Sequence, residues 1–226
     1  MKRILYVTAT EAEAVVLRDN ACLSYYGNNI YRYGSYELVL LTAGIGSVPT
    51  SWSMMKWLSE NGKPDLAINA GIAGSFHEGI KPGMVVLPVS EIFADAGIED
   101  NGKFLSLQEA GLADPEEFPY KGGVLAADME LLNDLNYLKV RGLTVGMATG
   151  SETTRERLIN LYNPDIETME GASFFYICLR ENVPFIALRA ISNYVGPRNR
   201  KEWKIEMALE NLKGTLNDVI IKMHNR

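Results

Sequence analysis

Cysteine and histidine are nearly missing from this chain: its 226 residues hold two of each, Cys22 and Cys178, His77 and His224. Two isolated thiols make neither a disulfide framework nor a zinc site, and two histidines without acidic partners at ligand spacing offer a metal little to bind. No metal and no cofactor are therefore expected. Positive charge is in deficit too. With 22 lysines and arginines against 28 acidic residues, a net charge of −6 excludes a broad attraction to nucleic acid or to an anionic membrane. No apolar run approaches membrane-spanning length, and residues 4–7 behind Met1-Lys2-Arg3 are too few for a secretory leader, so a cytoplasmic protein is expected. Repeats, low-complexity tracts and interdomain linkers are lacking, which leaves one domain over residues 1–226.

What is present is an ordinary globular composition, 47% hydrophobic and 22% charged, enough for one large core. Short apolar runs at 4–8, 30–33, 37–42, 65–69, 84–89, 143–147 and 184–191 read as strands. Helical patterns fall at 49–60, 128–135 and 172–179, and Ile205, Leu209, Leu212, Leu216, Val219 and Met223 mark an amphipathic C-terminal helix. The expected fold is α/β: a single three-layer domain with a central mixed β-sheet flanked by helices. Residues 91–123 lose the pattern, and an excursion of that length reads as a lid or an interface arm.

Residues 163–195 organise the rest. They read as strand, acidic turn, apolar helix and second buried strand, a parallel crossover unit with Glu170 after the first strand and Ser192-Asn193 after the second. Both clusters then fall at the carboxyl edge of the sheet, where ligands of open α/β sheets collect. Glu13 follows the first strand and forms a capping box with Thr10. Gly44-Ile45-Gly46 resembles a dinucleotide fingerprint, but Pro49 stands where the third glycine belongs and Asp65 begins a strand instead of ending one, so NAD binding is rejected. A second glycine-rich stretch, 70–74, reads as a turn after the strand at 65–69.

Thr168-Met169-Glu170, a VPF at 183–185 and Arg189-Ala190-Ile191-Ser192-Asn193 resemble the nucleoside phosphorylase and nucleosidase family over nearly the whole chain. Its methylthioadenosine/S-adenosylhomocysteine nucleosidase branch reads MEG or MEA, then RAISD, so Asn193 stands where that branch has Asp. Asn193 with Tyr194 and the basic stretch at 197–200 is similar to the futalosine hydrolase branch, which cleaves a 6-oxopurine nucleoside on a route to menaquinone. The resemblance implies a homo-oligomer, a dimer or larger, acting on a small-molecule purine nucleoside.

It also implies roles. Glu170 would bind the ribose hydroxyls, with Met169 and Ser192 beside it, and Glu13 would activate the attacking water. Glu13 as a plain helix cap stands beside that reading. Arg189 either helps order the water or is a structural arginine on a buried strand. Gly44 would let backbone approach the ligand. Ile72 replaces a hydroxyl that helps hold phosphate in phosphorylases, which favours water as nucleophile. Met147 and Ala148 fall where the purine is gripped, although Met147 replaces an aromatic and reads equally as a core methionine at a strand end. Asn193 offers NH₂ toward an exocyclic oxygen and C=O toward a protonated N7, the pair that suits hypoxanthine or guanine. Arg198 would meet a carboxylate at the 5′ end of the substrate, or belong to an ordinary basic loop.

Overall fold

The computed structural model describes residues 1–197 and 199–224. In chain order the elements are β1 Lys2–Thr8, α1 Glu11–Arg18, β2 Ser24–Tyr25, β3 Ile30–Tyr33, β4 Tyr36–Thr42, α2 Ser47–Asn61, β5 Leu66–Ser75, β6 Val85–Glu91, β7 Gly97–Asp100 and β8 Lys103–Ser106. They continue as β9 Leu125–Ala126, α3 Met129–Leu132, β10 Leu138–Thr144, α4 Glu152–Tyr162, β11 Ile166–Thr168, α5 Gly171–Arg180, β12 Phe185–Tyr194, a short 3₁₀ turn at Arg200–Glu202, and α6 Ile205–His224.

Ten strands form one mixed sheet in the order β11-β10-β6-β12-β5-β1-β4-β3-β2, with β9 on β6. The central strands β1, β5 and β12 run parallel and are almost wholly buried, as near-continuous apolar sequences require. Helices α1 and α6 pack together, and so do α2 and α5. Helix α5 is apolar nearly all round because it is enclosed, with Phe174 and Phe175 packed edge-on against Phe185 at 5.6 and 4.7 Å. Burial of each such ring contributes roughly 1.5–3 kcal/mol.

The sheet does not stay open. Strand β11 pairs in parallel with β10 and also runs antiparallel across the end of β5, so β5, β12, β6, β10 and β11 close on themselves. This corrects the crossover reading of residues 163–195. Since β12 is parallel to β5 and β11 antiparallel to it, the two strands flanking α5 run in opposite directions. Closure still brings them together: Glu167 of β11 and Asn193 of β12 lie on either side of Gly74.

Three further expectations change. The stretch at 70–74 is no turn; β5 continues through it to Ser75. Its glycines answer close approach instead, because a Cβ on Gly71 would sit 2.6 Å from Glu13 Oε1 and one on Gly74 would sit 2.8 Å from Val195. The strand expected at 143–147 is β10, ending at Thr144. Within 91–123 the chain makes the hairpin β7–β8, whose Asn101-Gly102 turn has φ of 50° and 78° at its two residues.

Candidate functional site

Thr8 and Thr10 leave β1 for α1, and Thr10 caps that helix: its Oγ accepts the Glu13 N–H at 3.2 Å. Both oxygens of the returning Glu13 carboxylate accept hydrogen bonds, Oε2 several and Oε1 one. Oε2 accepts from Ala9 N at 3.1 Å, Thr10 N at 3.0 Å and the Thr10 hydroxyl at 3.1 Å, while Oε1 accepts from Ile72 N at 3.0 Å. The capping role is therefore real, and the same side chain lines a cleft of ≈ 290 Å³. Glu13 is 7% exposed there, wedged against the bare backbone of Gly71.

Glu170 enters the cleft from the N-terminus of α5. Its Oε1 accepts the Gly46 N–H at 2.8 Å, and Gly46 sits at φ 88°, which glycine tolerates and which turns that N–H toward the carboxylate. Burial raises the Glu170 carboxyl above its ordinary value, opposed by the Gly46 N–H and the nearby Arg189 charge and reinforced by Glu13. Gly44, at φ 99°, shapes the same loop without joining the lining, and Ile45 lies at the rim.

Asn193 follows a bulge in β12, where the register with β5 shifts between Ile191 and Asn193. Such a bulge re-aims side chains. The amide is pinned: Nδ2 donates to Tyr194 O at 2.8 Å and Oδ1 accepts from the Ser192 hydroxyl at 2.7 Å. A carbonyl can only accept, so Tyr194 O fixes which end carries the NH₂. One N–H and one oxygen lone pair remain for a ligand.

Met169, Ala148, Ile72 and Ser192 also line the cleft, as the sequence suggested. Met147 does not: it is 80% exposed, because β10 ends three residues earlier and the chain turns outward. Arg189 is buried at 2% exposure outside the lining, donating to Asn69 O and Leu188 O at 3.0 Å each and to Asn69 Oδ1. It acts on the site as a fixed positive charge behind Glu170, and touches no cleft space. Arg198 lies outside the described residues. His77 pairs with Asp165 at 3.2 Å and His224 packs on Tyr33 and Tyr36, both away from the cleft.

Sequence reading missed Glu167, Thr149 and Trp203, all in the lining. Glu167 is 8% exposed; Oε1 accepts from Thr149 N at 2.9 Å, Oε2 has no hydrogen-bond partner among the described residues, and burial raises its carboxyl. An acidic residue at the centre of a short strand was the available signal. Trp203, directly after the 3₁₀ turn at Arg200–Glu202, adds an aromatic ring to the lining. A larger hollow of ≈ 460 Å³ at the amino ends of β1, β5 and β12 is lined mainly by aliphatic side chains and gathers no comparable set of reactive groups. Among the described residues no group of three or more His, Cys, Asp or Glu could hold a metal ion, and no helix is long and apolar enough to cross a membrane.

Similarity to known proteins follows the same lines. Futalosine hydrolase from Thermus thermophilus is 29% identical over 177 residues, 77% of each chain. Among solved structures, futalosine hydrolase of Helicobacter pylori superposes with a TM-score of 0.78 at 17% identity, covering 98% of each chain. The 5′-methylthioadenosine nucleosidase of Arabidopsis thaliana gives 0.78 at 23% identity, covering 100% of this chain and 97% of its own. The sequence profile of the phosphorylase superfamily matches residues 3–220, and the chain belongs to that family.

Proposed function

We propose that this protein hydrolyses the N-glycosidic bond of a 6-oxopurine nucleoside, with futalosine as the substrate and hypoxanthine as the released base. The observation that carries hydrolysis is the charge of the cleft: its described lining brings three carboxylates together, Glu13, Glu167 and Glu170, and no lysine or arginine. A phosphate nucleophile would meet repulsion there, whereas a neutral water would not. The similarity to futalosine hydrolases, and an amide in place of the acid at Asn193, support the 6-oxopurine.

The roles follow from the hydrogen-bond inventory. Glu170 accepts the ribose hydroxyl protons and faces positive charge as it develops on the sugar. Water attacks C1′ on one face while the C1′–N9 bond breaks on the other, its electron pair passing into the base. Oε1 of Glu13, whose one hydrogen-bond donor among the described residues is Ile72 N, takes the proton from that water. N7 of the base gains a proton from solvent or a neighbouring donor, and Asn193 holds the N7–H form through its free oxygen lone pair while its NH₂ meets O6. Trp203 offers a ring for stacking.

Homo-oligomerisation belongs to the same reading. Ile45, just before α2, and Val48, Trp52 and Met55 on it, at 58, 80, 68 and 43% exposure, form one apolar stripe that starts at the cleft rim. A second copy of the chain covers that stripe. A Trp52→Glu variant sedimenting no differently from the parent would argue against it.

The deciding experiment is base release from futalosine, inosine and methylthioadenosine in phosphate-free buffer, resolved by chromatography. Hypoxanthine from futalosine is expected. Adenine release from methylthioadenosine alone would assign an adenosine-type nucleosidase, and release only after phosphate addition would assign a phosphorylase.

A further inference from the structure

The first N–H groups of an α-helix are commonly satisfied by the N-cap side chain. Glu170 occupies the N-cap of α5 yet makes no capping bond, because its carboxylate reaches across to Gly46. Two threonines take over: Gly171 N donates to Thr168 Oγ at 3.2 Å and Ala172 N donates to Thr144 Oγ at 2.7 Å. A hydroxyl that accepts an N–H must send its own proton elsewhere. Thr144 donates to Glu91 Oε2 at 2.9 Å, while Thr168, 3.1 Å from Thr144 Oγ, lies 3.4 Å from both Glu91 Oε1 and Leu143 O. One carboxylate at the end of β6 thus anchors Thr144 directly and lies within reach of Thr168.

Glu91 is otherwise hard to explain. It is 0% exposed, lies outside the cleft lining and forms no ion pair among the described residues. Burying such a group is costly without compensation. The backbone nevertheless makes room for it: a Cβ on Gly142 or Gly171 would lie 2.4 or 2.0 Å from its Oε1.

We propose that Glu91 is a positioning residue for the reaction, capping α5 through Thr144 and Thr168 so that the Glu170 carboxylate is free for the sugar. This rests on the assignment of Glu170 to the ribose hydroxyls. The ionised form is the better anchor, since a carboxylate has only acceptor sites to offer the two hydroxyls.

The test compares futalosine with its 2′-deoxy analogue, measured as kcat/KM at pH 8.5 for the parent, Glu91→Gln, Thr144→Val and Thr144→Ser, with thermal melts alongside. Loss of the anchor displaces Glu170, so Glu91→Gln and Thr144→Val reduce the preference for the ribonucleoside about tenfold. Thr144→Ser, which keeps the hydroxyl, retains it. A role confined to stability would lower Tm and leave the preference unchanged, and that result in either folded variant overturns the proposal. Should one of the two fail to fold, the other still decides. A parent enzyme inactive on futalosine itself would instead refute the proposed function on which this inference rests.

Discussion

Glu13 divides two jobs between two oxygens. Oε2 closes the cap of α1 and Oε1 holds Ile72 N while facing the cleft, so both oxygens must accept. A Glu13→Gln variant has to turn its NH₂ toward an N–H donor on one side, which is expected to cost about 1–3 kcal/mol of stability. Turnover falls further, by roughly 10²–10⁴-fold, with ligand affinity largely kept. Denaturant melts, single-turnover kinetics and equilibrium binding separate the two effects; full activity would reduce Glu13 to a cap. Asn193 makes a chemical prediction of its own. Its NH₂ end is fixed by Tyr194 O, so Asn193→Asp removes the donor facing O6 and is expected to lower hypoxanthine release about 10- to 100-fold, raising adenine release relative to it. Base chromatography on paired substrates reads the ratio directly.

At the scale of elements, the site is built where secondary structure ends. Helices α1, α2 and α5 all begin at its edge, through Thr10, Gly46 and Glu170, and their N-termini place partial positive charge beside the carboxylates. Close contact between β6, β10 and α5 depends on two glycines packed around Glu91. Gly171→Ala is therefore expected to destabilise the protein by about 1–3 kcal/mol, the usual effect of overpacking. Pairing it with Glu91→Asp, whose carboxylate is one methylene shorter, should recover much of the loss. A double-mutant cycle on urea midpoints measures that coupling, and strictly additive effects would show that the two residues do not compete for space.

For the whole molecule, the buried carboxylate sets a pH dependence. Burial lifts Glu91 to about 7, opposed by the Arg189 charge and the Thr144 and Thr168 hydroxyls and reinforced by Glu170. With an ordinary value near 4.5, the folded state binds more protons than the unfolded one between pH 4.5 and about 7. Stability accordingly falls as pH rises through that window, by on the order of 3 kcal/mol, and levels off above it. The Glu91→Gln protein should lack this component. Denaturant titrations at pH 5 and pH 8 compare them, and an equal pH slope in both proteins would exclude Glu91 as its source.

Local chemistry alone determined a large part of this. The capping box Thr10–Glu13, the apolar strands β1, β5 and β12, the enclosed helix α5 and the amphipathic α6 follow from side-chain type and spacing, because hydrophobic period and cap chemistry act within a few residues. Glu13, Glu170 and Asn193 were marked by motif, and all three line one cleft. Long-range pairing determined the rest. That β11 runs against β5, bringing Glu167 beside Gly74, depends on residues about 90 positions apart and leaves no local signature. Close approach decided the glycines: Gly71 and Gly74 read as a turn, yet they lie inside a strand because Glu13 and Val195 need the space. Met147 was placed in the cleft by counting, and the early end of β10 turned it to solvent. Glu91 is inconspicuous in the sequence, since a carboxylate 77 residues before Thr168 becomes its partner only when the closed sheet brings β6 and β10 under α5.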